Sequence, residues 1–84
     1  MINLSVILKT AKGNREAVKR YLLKQKRISQ LYKIDNGYNF LLEASFKGLD
    51  DVEEFIDNMT EKFKIDELKI FYIIDCYKQK TGGI

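Results

Sequence analysis

The chain has 84 residues, 45% of them apolar, and a formal charge of +3, which frames one small globular domain. Histidine is absent and Cys76 is the only cysteine, so disulfides, Cys/His zinc sites and histidine-based triads are excluded. No apolar run approaches the ~20 residues of a membrane helix and no signal peptide is recognisable, so a cytoplasmic protein without a membrane partner is expected.

Residues 2 to 9, INLSVILK, alternate, with Ile2, Leu4, Val6 and Leu8 on one side, and predict a half-buried strand. A turn around Gly13 follows, with Asn14 as the expected N-cap of a helix from Arg15 to about Lys26. Val18 and Leu22, spaced i, i+4 and flanked by Ala17 and Tyr21, mark its buried stripe.

The stretch Ile28 to Phe46 reads as two strands joined at Asn36-Gly37, the residue pair best able to supply the two positive φ angles of a type I′ hairpin. Such a turn pairs Asp35 with Tyr38. The register then sets Ile34 against Asn39, Lys33 against Phe40, Tyr32 against Leu41 and Leu31 against Leu42. Both faces of this hairpin carry apolar side chains, so helices are expected on one side and a different partner on the other.

Beyond Gly48, Asp50 and Glu53 form a loose D-x-x-E capping pattern. Leu49, Val52, Phe55, Ile56, Met59 and Phe63 then fall on one helical stripe that reads as core. A last strand is expected over Glu67 to Tyr77, buried on both faces, with Cys76 as a small core residue. Residues 1-77 make one domain, and Lys78 to Ile84 a polar tail that frays.

The order β-α-β-β-α-β predicts an α+β, ferredoxin-like sandwich: a four-stranded antiparallel sheet with two helices on one face. The first helix region is basic and the second acidic, so side-by-side helices would attract each other. A domain of this size buries only roughly 60–65% of its unfolded surface, which favours association with a second copy. The open sheet face is the expected homodimer surface of a dimeric α/β sandwich.

The chain resembles the effector-binding (RAM) domain of the Lrp/AsnC transcription regulators from Ile2 to Tyr77. The residues that carry the likeness are LSVILK in the first strand, the hairpin Asn36-Gly37-Tyr38-Asn39 followed by FLLEASF, and LDDVEEFIDNM in the second helix. The family's hairpin usually reads Thr-Gly-x-Tyr-Asp; here the turn is one residue shorter and Asn39 replaces the acid. The resemblance implies a small-molecule pocket, often for an amino acid, built around Asn36, Gly37, Tyr38 and Asn39 and completed by a neighbouring subunit. It also implies a stand-alone form without the family's helix-turn-helix, acting with a DNA-binding regulator as partner.

The main alternative is an RNA-recognition module of the same strand order, in which Tyr38 and Phe40 would stack on bases. The first strand, with Asn3 and Ser5, lacks the aromatic of the partner motif. Catalysis is not expected: Lys12-Gly13-Asn14-Arg15 is the one phosphate-loop candidate, and a lone glycine cradles little. No paired carboxylate in an apolar setting supplies an acid and a base, and no metal or cofactor is expected.

Overall fold

A computed structural model describes residues 1–79. The elements are β1 (Ile2–Thr10), a single 3-10 turn (Lys12–Asn14), α1 (Arg15–Leu23), β2 (Ile28–Lys33), β3 (Phe40–Phe46), α2 (Leu49–Lys62) and β4 (Ile65–Tyr72). The strands form one antiparallel sheet in the order β2-β3-β1-β4, the ferredoxin-like arrangement.

Period-two alternation decides which face each strand offers to the helices. Leu4, Val6 and Leu8 of β1 and Phe40, Leu42, Ala44 and Phe46 of β3 are buried against Val18 and Leu22 of α1 and Val52, Phe55 and Met59 of α2. Phe46 and Phe55 meet at 5.3 Å between ring centres, and Tyr21 meets Phe63 edge-on at the same distance, joining α1 to the end of α2. Both helices therefore lie on one face, and Asn3, Ser5, Ile7, Leu41, Glu43 and Phe71 occupy the other.

The hairpin register is the one that Asn36-Gly37 dictates: Leu31 pairs with Leu42, Tyr32 with Leu41 and Lys33 with Phe40. Asn36 at φ 67 and Gly37 at φ 90 both occupy the left-handed region. The ladder slips by one residue between Ile28 and Gln30, and Ser29 in this bulge donates its hydroxyl to the Glu43 carbonyl at 3.2 Å.

Several expectations are corrected. Helix α1 stops at Leu23, because Lys24, Gln25 and Lys26 offer no apolar side chain to hold a further turn. Asn14 occupies the N-cap without a side-chain capping bond; its backbone is already helical (φ -99, ψ -8), which takes the side chain out of capping position. Helix α2 starts at Leu49 with Gly48 as N-cap, so Asp50 sits inside the first turn. There it and Asp51 face the positive end of the helix dipole instead of capping. Leu49, at the rim of the helix, is 57% exposed.

Strand β4 ends at Tyr72 rather than Tyr77. Among the described residues its one neighbouring strand is β1, and the Ile73 N–H donates to the carbonyl of Asn3, the second residue of that strand, at 2.9 Å. Beyond that point β4 has nothing to pair with, and Ile74, Cys76 and Tyr77 are exposed, so Cys76 is not a core residue. Nor is β4 buried on both faces: Phe71 is 53% exposed. Of the tail expected from Lys78 to Ile84, residues 80–84 lie outside the described residues.

The charged helices do not lock together. Arg27, Asp51 and Glu54 line a shallow groove of ≈ 240 Å³ between them, yet the only ion pair among the described residues is Lys19–Glu16 at 3.6 Å within α1. No helix among the described residues is long and apolar enough to cross a membrane.

Candidate functional site

The hairpin turn forms one wall of an open cleft of ≈ 520 Å³ at the end of the sheet. Asn36, Gly37, Tyr38 and Asn39 all line it. Opposite them stand Arg15 and Lys19, one helical turn apart on α1, and Lys9 and Lys33 come from the ends of β1 and β2. Two carboxylates, Glu16 and Asp35, share the cleft, and Ile34 and Phe40 supply apolar surface.

The four turn residues are not equivalent. Asn39 is fixed on three sides: its N–H donates to the Leu8 carbonyl at 2.9 Å and its carbonyl accepts from Ile34 at 3.1 Å. Its side-chain Oδ1 accepts the Thr10 N–H at 2.7 Å. Thr10 is 2% exposed and sits where β1 shifts register between Lys9 and Thr10, so its N–H needs a partner that the ladder does not provide. Asn39 is thus a strut between the hairpin and the end of β1, with its acceptor oxygen already committed.

Tyr38 turns the other way. Its hydroxyl donates to Glu67 Oε2 on β4 at 2.9 Å, and Lys69 Nζ stands 5.7 Å from its ring centre. The Tyr38 phenol, and to a smaller degree the Glu67 carboxylate, holds the exposed Lys69 ammonium above the ordinary lysine pKa of 10.5. Asn36 and Gly37 form the expected hydrogen-bonded turn between Asp35 and Tyr38. Among the described residues the N–H groups of Asn36 and Gly37 donate to no backbone carbonyl.

Sequence reasoning missed Lys9, Arg15, Lys19 and Lys33 as cleft residues. Their basic character was visible, but only the folded β1–β3 register and the start of α1 bring them around the turn. It also missed the Thr10–Asn39 bond, which joins residues 29 apart. The RNA-stacking alternative meets a direct correction: Phe40 is 6% exposed and belongs to the core, so it cannot pair with Tyr38 as a base platform.

No protein-family model matches the sequence, and no curated protein sequence matches it. Among solved structures, FFRP-DM1 superposes with a TM-score of 0.79 at 21% identity, covering 88% of this chain and 100% of that one. An AsnC family transcriptional regulator from Agrobacterium tumefaciens gives 0.83 at 14% identity, over 96% of this chain and 55% of the regulator. The B. subtilis protein LrpC gives 0.81 at 19% identity, over 94% and 54%. The structural neighbours are therefore Lrp/AsnC regulators and related small proteins, and what they share with this chain is its fold. The chain spans slightly more than half the length of the two larger regulators.

Proposed function

We propose that the domain is a regulator-type module that senses a small effector, of amino-acid size, at the hairpin cleft and assembles as a homodimer through its uncovered sheet face. The observation that carries the reading is that face. Tyr32 (47% exposed), Phe71 and Ile73 (43%) stand beside half-buried Ile7 and Leu41 on the side that no helix covers. Apolar side chains gathered in this way mark an interaction surface rather than one built for water. The neighbours of this fold include transcription regulators, which supports the regulator assignment.

The two described helices are separated by the hairpin and do not form a helix-turn-helix with each other. Nothing in the cleft pairs an acid with a base in an apolar setting, and the reading is non-enzymatic.

Light scattering with and without a panel of amino acids and related acids tests both halves. The expected result is a species of twice 9.9 kDa, with a change in melting temperature or oligomer size for one member of the panel. A monodisperse 9.9 kDa species at high micromolar concentration would refute the assembly. Silence across the panel would refute effector sensing.

A further inference from the structure

This inference rests on the effector-sensing reading and specifies the ligand. We propose that the hairpin cleft takes a small organic dianion, a dicarboxylate, in preference to a zwitterionic amino acid.

Three observations converge. The first is charge. Lys9, Arg15, Lys19 and Lys33 outnumber the cleft's two carboxylates, and Glu16 is already paired with Lys19 at 3.6 Å. Of the cleft's two carboxylates that leaves Asp35 without an ion pair, against Lys9, Arg15 and Lys33. Arg15 adds a planar fork suited to a carboxylate, and the lysines add point charges on flexible stems.

The second is the fate of Asn39. An incoming ammonium needs an acceptor, and the acceptor oxygen of Asn39 is held by the buried Thr10 N–H at 2.7 Å. The Tyr38 hydroxyl is likewise directed away, onto Glu67. What the turn still offers is donors: the N–H groups of Asn36 and Gly37, which have no backbone partner among the described residues. Successive unpartnered N–H groups at a turn suit an anion.

The third is size. A volume of ≈ 520 Å³ falls within the roughly 300–1,000 Å³ range of small-ligand sites. Half-buried Ile34 gives the carbon skeleton a surface to rest on while the charged ends reach the rim.

The test uses 2-oxoglutarate, glutamate and glutamine, which keep one carbon skeleton while the net negative charge falls from two to one to none. Calorimetric titration at low salt should rank them in that order, with about tenfold or more between first and last, narrowing as salt rises. The double variant Arg15→Gln/Lys33→Gln should weaken 2-oxoglutarate by a similar factor. Both side chains are exposed, so the fold should persist, and an unchanged far-UV spectrum checks that. Glutamine binding as tightly as 2-oxoglutarate would overturn the dianion while leaving effector sensing intact. Undiminished 2-oxoglutarate binding in the double variant would overturn its placement in this cleft. Failure of every ligand, the amino-acid panel included, would overturn both readings. A single-stranded oligonucleotide binding more tightly than any acid, and lost in the double variant, would overturn the small-ligand assignment in favour of a phosphate-backbone groove.

Discussion

Replacing Asn39 with alanine tests whether the turn is held by this residue or merely decorated by it. The substitution removes the side-chain acceptor of the Thr10 N–H, on a residue 2% exposed, at a point where the β1 ladder is already interrupted. Leaving a buried donor unmatched costs about 1–3 kcal/mol. Because the neighbouring cleft admits water, the lower part of that range applies, about 1–2 kcal/mol. For a domain of this size each kcal/mol moves the melting temperature by roughly 4–8 °C, so Asn39→Ala should melt on the order of 4–16 °C below the parent. The change is read by thermal and urea denaturation followed by circular dichroism. Asn39→Asp keeps the acceptor and adds charge to the bond. Its carboxylate pKa should lie below the unfolded value of about 3.9, so its stabilisation is present at neutral pH and lost as pH falls through the folded value. The aspartate variant should therefore resemble the parent at pH 7 and the alanine variant in acid. An alanine variant within about 0.5 kcal/mol of the parent would refute the strut and free the Asn39 side chain for a ligand.

Three further outcomes are expected. Met59→Ala, at a fully buried position on α2, should cost about 2–5 kcal/mol in urea denaturation, the usual penalty for emptying a core site. Phe71→Asp with Ile73→Asp should convert the proposed dimer into a folded monomer by light scattering, since both side chains lie on the uncovered face. The raised pKa of Lys69 means that its contact with Tyr38 stabilises the fold fully below 10.5 and is lost as pH rises through the folded value; an NMR titration of the Lys69 side chain should show a midpoint above 10.5 that falls back in Tyr38→Leu.

Local rules carried the sequence reading far. Asn36-Gly37 allowed one turn geometry, and that turn determined the pairing of Lys33, Tyr32 and Leu31 with Phe40, Leu41 and Leu42. Alternation in β1 and the stripe of α2 identified Val6, Leu8, Val52, Phe55 and Met59 as core for the same reason: one periodicity, one buried side. The misses have a common cause. Apolar alternation in Phe71 to Tyr77 looks the same whether the segment is buried or runs past the end of its neighbour, and only the length of β1 decides. Leu49 fits the helical stripe but precedes the point where the helix meets the sheet. The cleft was half legible: its four turn residues stand together in sequence, whereas Lys9, Arg15 and Lys33 come together only through the sheet register. The commitment of Asn39 to Thr10 is a long-range bond that no spacing rule contains.

The position of β4 at the rim of the sheet has one more consequence. Its outer side carries backbone groups with no neighbour, and Ile70 to Ile74, Ile-Phe-Tyr-Ile-Ile, is an uncharged run rich in β-formers, with neither proline nor glycine. Segments of this kind stack into cross-β ribbons when another copy can reach them. Lys69 and Asp75 flank the run and act as charged gatekeepers against that outcome. Any change that separates the subunits of the proposed dimer without adding charge, such as alanine on the sheet face, is therefore expected to give fibrils or precipitate rather than a well-behaved monomer. In the proposed dimer, Phe71 and Ile73 belong both to this run and to the uncovered face.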